Sequence, residues 1–146
     1  MIIKQTQDTL STIYQDAVAI RQEVFVKGQG VPKDMEIDEY ETLAIHFVLY
    51  DQEHQACATC RLLPSQDKTT ITLQRMAVLD SYQGQGLGKK LLKHALEYAT
   101  KAGFDKMTMH AQLTAQPFYQ KLGFQTQGER FEEAGITHIT MTKSLG

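Results

Sequence analysis

The chain has 146 residues, enough for one domain that buries a sizeable core without a disulfide or metal staple. Its 42% hydrophobic and 22% charged residues, with only 3 prolines, exclude an intrinsically disordered chain. Fifteen Lys and Arg against seventeen Asp and Glu leave a net charge of -2, so no overall field draws the chain to a phosphate backbone, and no nucleic-acid partner is expected. The longest apolar run, Ala44 to Tyr50, is interrupted by His46 and falls far short of the ~20 residues that span a bilayer. The start, Met1-Ile2-Ile3-Lys4, does not read as a signal peptide. The expectation is a cytoplasmic protein, residues 1–146 as a single domain, with no membrane partner.

In chain order, Leu10, Ile13, Ala17, Ile20 and Val24 follow the 3.6-residue period and predict a helix over roughly residues 9 to 27, with Asp8 or Thr9 as N-cap. Gly28, Gly30 and Pro32 end it. Asp34, Glu36, Asp38, Glu39 and Glu41 then read as an acidic surface loop reaching to Thr42. Three strand-like runs follow at about 43 to 51, 55 to 63 and 69 to 79, and their turn-prone separators suggest antiparallel hairpins. After the third comes Tyr82-Gln83-Gly84-Gln85-Gly86-Leu87-Gly88, leading into a helix with Leu87, Leu91, Leu92, Ala95, Leu96, Ala99 and Ala102 on one face and Gly103 as its stop. A short strand from Lys106 to His110 precedes a short helix that starts near Thr114, has Pro117 in its first turn and is closed by Gly123. Two last strands, about 124 to 132 and 136 to 143, flank a turn at Ala134-Gly135. These elements predict an α/β (α+β) fold: a mixed, largely antiparallel central sheet with helices packed on its faces.

Cys57 and Cys60 form a CxxC without the second ligand pair that a structural zinc requires, so no metal site is expected. The pair lies in a strand rather than at a helix start, where a dipole would lower a thiol's pKa, and residues three apart on a strand face opposite sides of the sheet. They read as small buried hydrophobes.

The glycines at 84, 86 and 88 carry the chemistry. Glycine permits strained backbone angles and close approach to a ligand, and the helix that follows begins with free N–H groups and a partial positive charge. Lys89 and Lys90 would oppose that dipole unless an anion sits there. A P-loop needs G-x₄-G-K-[ST], but Gln83 stands where its first glycine belongs and Lys90 where its Ser or Thr belongs. A dinucleotide fingerprint needs G-x-G-x-x-G, whereas this loop runs G-x-G-x-G.

Gln83-Gly84-Gln85-Gly86-Leu87-Gly88 resembles the [RQ]-x-x-G-x-[GA] pyrophosphate loop of the GNAT-superfamily acyltransferases. Two further stretches are similar to family motifs in the same order: Gln74-Arg75-Met76-Ala77-Val78 on the preceding strand, and Pro117-Phe118-Tyr119-Gln120-Lys121-Leu122-Gly123-Phe124, which is similar to F-Y-x-x-x-G-F. Arg21-Gln22-Glu23-Val24-Phe25-Val26, with Gln29, Glu36, Asp38 and Ala44-Ile45-His46, resembles the ElaA-like or YjcF-like branch. Gly28 departs from that branch, which carries a Glu-Gln pair where this chain has Gly28-Gln29. The resemblance covers essentially the whole chain and implies a GNAT-like sheet of about 6–7 strands.

It further implies an N-acyltransferase that moves acetyl from acetyl-CoA to a primary amine of a small molecule or a protein. Acetyl-CoA would be held by Met76, Ala77 and Val78 along the strand edge and by Gln83, Gly84, Gln85, Gly86, Leu87, Gly88 and Lys89 at the pyrophosphate. A backbone N–H near Met76 would stabilise the oxyanion, and Tyr119 matches the family tyrosine that protonates the departing thiolate. Glu36, Asp38, His46 and His110 are candidates for the base, none singled out. The acidic run could also attract a cationic acceptor. A catalytically silent CoA-binding sensor on the same fold is the alternative function. Homodimers are common among proteins of this kind, although no residue here marks an interface.

Overall fold

In the computed structural model, which describes residues 1–146 except for the side chains of residues 34 and 35, seven strands are interspersed with helices. They are β1 (Ile2–Thr6), α1 (Thr12–Arg21), a π-helical turn (Gln22–Lys27), α2 (Lys33–Glu36), β2 (Ile45–Tyr50), β3 (Ala56–Pro64), β4 (Thr70–Val78) and α3 (Leu87–Lys101). There follow β5 (Lys106–Gln112), α4 (Gln116–Lys121), β6 (Gln125–Glu133) and β7 (Ile136–Ser144). The strands form one seven-stranded sheet in the order β1-β2-β3-β4-β5-β7-β6. Every neighbouring pair is antiparallel except β4 and β5, which are parallel.

Side-chain alternation assigns the two faces. On β2, Phe47 and Leu49 join the large cluster that contains Leu87, Leu91, Leu92 and Ala95 of α3, while Val48 joins Ala17 and Ile20 of α1 on the other side. Tyr119 of α4 belongs to the α3 side. Helices therefore cover both faces, with α1 and α3 opposite one another across the sheet.

The N-terminal part differs from the sequence expectation in four ways. Strand β1, unforeseen because Ile2-Ile3 is followed at once by polar residues, pairs along β2 as an edge. Helix α1 is capped by Ser11, whose Oγ accepts the Tyr14 N–H at 3.3 Å, while Asp8 spends its carboxylate on the Leu10 N–H. Leu10 thus lies outside the helix, 87% exposed. Beyond Arg21 the helix widens into the π-helical turn rather than continuing as α-helix to residue 27.

The acidic segment is not a solvated loop. It contains α2, and both Glu36 and Glu41 are buried; of its acidic residues, the Asp34 side chain lies outside the described residues. Arg21 donates from Nε to Glu36 Oε1 at 2.6 Å, and from Nη1 and Nη2 to the two Glu41 oxygens at 2.8 and 2.9 Å. Arg61 of β3 donates to both Asp38 oxygens at 2.9 and 2.8 Å and to Glu41 Oε2 at 2.7 Å. Arg75 of β4 adds contacts of 3.3 Å to the Glu36 carbonyl and to Asp38. Three guanidinium groups thus offset three carboxylates, which is what permits such charges to be buried. Periodicity shows only that the segment lacks apolar residues; the partners that bury its charges come from α1, β3 and β4.

The cysteines are also placed differently. Cys57 has no partner in the β2–β3 register, which passes from Ala56 to Ala58, and this bulge brings Cys57 and Cys60 into the same core cluster rather than onto opposite faces. Both are free and buried, as small hydrophobes should be.

Removing Arg21 would strand Glu36 and Glu41, so Arg21→Ala should cost ~3–5 kcal/mol in chemical unfolding, the range for breaking a buried pair. Burial alone would raise the Glu41 carboxyl, but hydrogen bonds and charge from Arg21, with Arg61 beside it, hold it at about 2. A folded-state value below the unfolded one gives stability that is present above the ordinary carboxylate range and lost as pH falls toward about 2. The melting temperature should therefore drop steadily from about pH 5 to about pH 2; a flat profile would contradict this account.

Candidate active site

The only parallel pairing in the sheet is short. β4 and β5 pair from Thr70↔Lys106 to Leu73↔Met109 and then part, β4 continuing beside β3 and β5 beside β7. A β-bulge lies just past the parting point: Arg61 pairs with Gln74 and Thr59 with Ala77, so Arg75 and Met76 together oppose Cys60. Arg75 takes the left-handed conformation with φ of 57°, a strained state for a residue with a Cβ. The parted strands enclose a cavity of about 630 Å³, within the range of small-molecule and cofactor sites.

Of the ten residues that the sequence assigns to acetyl-CoA, nine line this cavity: Met76, Ala77, Val78, Gln83, Gly84, Gly86, Leu87, Gly88 and Lys89. Gln85 does not; Lys90 also stays outside it, on the exposed side of α3. Gly84 and Gly86 have φ of +79° and +75° with open space where a Cβ would stand, so it is the left-handed backbone, not crowding, that calls for glycine. Gly86 caps α3 without a side-chain hydrogen bond, and the first helical bond is from Lys90 N–H to Gly86 O at 3.1 Å. The N–H groups of Leu87, Gly88 and Lys89 therefore precede the helical ladder at the cavity wall.

Tyr119 also lines the cavity, from the α3 side. Its ring packs edge-on against Phe118 and Phe124, at 5.0 and 5.9 Å between centroids. Burial, with Cys60 nearby, pushes its phenol far above the ordinary range, so the hydroxyl keeps its proton throughout the physiological pH range.

The four base candidates separate. His46 is buried in β2, outside the cavity lining, donates from Nε2 to the Glu41 carbonyl at 2.8 Å and meets Tyr14 edge-on; burial lowers its pKa, and it is a structural residue. Asp38 is held by Arg61 and Arg75 and lies outside the lining. Glu36 lines the cavity, bound to Arg21, with no hydrogen-bond partner for Oε2 among the described residues. His110 lines it half-exposed, with Nδ1 at 3.0 Å from Glu133 Oε1.

Several polar lining residues had no assigned place in the site. Glu133 and His138 reach it from β6 and β7, and the amides of Gln29 and Gln112 exchange hydrogen bonds of 3.0 and 3.4 Å across it. Their meeting depends on β5-β7-β6 order and on the segment after α1 folding over β5, neither of which leaves a local signal. Gly28 stays outside this cavity, and a Cβ there would meet the Val24 carbonyl at 2.5 Å. The π-helical turn has a shape that suits glycine, so a carboxylate cannot be restored at 28 without moving the backbone.

Among the described residues no group of three His, Cys, Asp or Glu side chains is placed to hold a metal ion, and no helix is long and apolar enough to cross a membrane.

A family profile described as "Acetyltransferase (GNAT) domain" matches residues 9–145. The chain is 38% identical over 131 residues to the "Uncharacterized N-acetyltransferase YjcF" of Bacillus subtilis (strain 168), spanning 88% of this chain and 91% of that protein. The crystal structure of Escherichia coli ElaA superposes with a TM-score of 0.87 at 26% identity, covering 98% of this chain and 99% of ElaA. An aminoglycoside 6'-N-acetyltransferase complexed with coenzyme A shares the fold at a TM-score of 0.75 and 14% identity, over 99% of this chain and 97% of that one. By both its profile and its relatives, the chain belongs to the GNAT acetyltransferase family.

Proposed function

We propose that this protein is a cytoplasmic, single-domain N-acetyltransferase that transfers acetyl from acetyl-CoA to a primary amine by direct attack on the thioester. The observation that carries the reading is the parting of β4 and β5 with the uncapped N-terminus of α3 at the cavity wall. A parted sheet leaves strand-edge N–H and C=O groups to bind an extended amide chain such as pantetheine. An uncapped helix start offers N–H groups and dipole to a pyrophosphate. The coenzyme A complex of the aminoglycoside 6'-N-acetyltransferase supports such a ligand in this fold.

In this reading the residues from Gln83 to Lys89 hold the pyrophosphate, Lys89 adding charge, and the edge from Met76 to Val78 holds the pantetheine. Gln85, which lies outside the cavity lining, contributes through its backbone alone. An N–H at the bulge polarises the thioester carbonyl and stabilises the oxyanion. The amine nitrogen attacks the carbonyl carbon, the C–S bond breaks, and the electron pair leaves with sulfur. Tyr119 gives its proton to the thiolate; a phenol that stays protonated is suited to donate, and its place on the α3 side leaves the other face to the amine.

Calorimetric titration with acetyl-CoA, followed by thiol release against a panel of primary amines, tests this. Saturable binding with amine-dependent release is the expected result, whereas binding without turnover would favour the silent sensor. Gly86→Val should weaken acetyl-CoA binding by at least ~10-fold, because the branched side chain resists the left-handed conformation that the loop requires. Wild-type affinity in that variant would remove the loop from the site. Tyr119→Phe should lower kcat by ~10²-fold with little change in acetyl-CoA affinity; unaltered kcat would take Tyr119 out of the reaction.

A further inference from the structure

His110 and Glu133 lie 23 positions apart in sequence, on strands that do not touch, since β7 runs between β5 and β6. They meet because strand alternation points both to the same face. On β5, Met107, Met109 and Ala111 enter the cluster under α3, which leaves Thr108, His110 and Gln112 on the α1 side. On β7, Ile139 and Met141 enter that same cluster, and His138, paired with Gln112, shares the face of His110. Glu133 reaches His110 over this face from the β6–β7 turn.

The hydrogen-bond chemistry determines which nitrogen is available. An ionised Glu133 carboxylate only accepts, so the 3.0 Å contact requires a proton on His110 Nδ1. In neutral His110 the lone pair then lies on Nε2, across the ring from Glu133. Phe131 braces the ring edge-on at 4.9 Å between centroids and stacks on His138 at 5.9 Å. His138 donates from Nδ1 to the Ile136 carbonyl at 2.7 Å, and its Nε2 stands 3.8 Å from Glu133 Oε2. One carboxylate oxygen therefore orients His110 while the other faces a second, buried imidazole.

The position along the strand matters as much. His110 is the first β5 residue beyond the last β4–β5 pair, Leu73↔Met109, so it stands at the apex of the cleft. An acyl-CoA whose pyrophosphate rests on the start of α3 would bring its thioester toward that apex. Tyr119 approaches from the α3 face and His110 from the α1 face, so a proton donor for the leaving thiolate and an acceptor for the amine proton stand on opposite sides.

Resting on the transferase reading above, we propose that His110 is the general base for the acceptor amine and that Glu133 is its positioning residue. The amine arrives as R–NH3+. His110 Nε2 takes one proton, and the freed nitrogen pair forms the C–N bond as C–S breaks. The nitrogen loses its second proton to solvent, the thiolate takes one from Tyr119, the Tyr119 phenolate is reprotonated from solvent, and the half-exposed imidazolium returns its proton to bulk water, which leaves one net proton released per turnover. The other titratable groups in this cleft are Glu36 of α2, Arg75 of β4, Lys89 of α3, Tyr82 before α3 and His138 of β7.

A base that removes the first proton matters for a strongly basic amine, which is protonated at neutral pH, and not for a weakly basic one such as hydroxylamine, which already carries a free pair. The test uses the full chain with acetyl-CoA, a panel of alkylamines and hydroxylamine, reading thiol release from pH 6 to 9 and acetyl-CoA binding by calorimetry. His110→Gln should lower kcat/KM for alkylamines by ~10²-fold or more, leave hydroxylamine within about threefold and leave acetyl-CoA affinity unchanged. Glu133→Gln should lower alkylamine turnover by ~10-fold while leaving hydroxylamine turnover within about threefold, because the ring is no longer held with its proton on Nδ1; Glu133→Asp should restore part of the alkylamine loss. An alkylamine rate unaltered in His110→Gln, or an equal loss with both amine classes, overturns the base assignment alone. Acetyl-CoA binding with no amine-dependent release by the wild type overturns the transferase reading and the base with it.

Discussion

The bulge at Arg75 is the constraint on which the rest of the molecule turns. Two residues of β4 stand against one of β3, so β4 bends away from β5 just after their last pair, and the sheet opens where it would otherwise have closed. The bend places a non-glycine residue in the left-handed region, a cost of order 1–3 kcal/mol that must be offset by its surroundings. The Arg75 guanidinium supplies part of that offset through the Glu36 carbonyl and Asp38, which are themselves fixed by Arg21 and Arg61. The buried charges therefore do more than fill the space under α1. They join the segment after α1 to the wall of the cleft.

From this one opening follow the two sides of the site. The α3 face is apolar and holds Tyr119 among aromatic rings. The α1 face carries the polar groups, among them His110, His138, the Gln29–Gln112 bridge and Glu36, beside Val24, Phe25 and Ile136. This difference in environment suits the proposed transfer, which would release a thiolate on one side and take up an ammonium on the other. The glycine loop completes the cleft at the start of α3, where Gly84 and Gly86 take the left-handed conformation and the first N–H groups of the helix precede its hydrogen-bond ladder.

The strongly periodic elements were legible from the residues alone. Helix α3 has its apolar stripe and glycine stop, and the strands flanking Ala134-Gly135 have their turn. The glycine loop was legible for a different reason: its chemistry lies in residues adjacent in sequence, so spacing suffices to exclude a P-loop and a dinucleotide fold. What failed was long-range. The acidic run from Asp34 to Glu41 reads as solvated because its compensating arginines lie 13 or more positions away from Asp34, on three other elements. Cys57 reads as facing away from Cys60 because a bulge is a property of two strands and not of one.

The sequence by itself determined the class of fold, the glycine loop at the start of α3, the family resemblance and Tyr119 as a residue to follow, since each of these is written in neighbouring residues or in a period. The tertiary structure decided which charges are buried, that His46 is structural, and that His110 is oriented by Glu133. Those depend on strand order and register: β7 inserted between β5 and β6 brings residues 110, 133 and 138 onto one face, and no local pattern encodes that insertion.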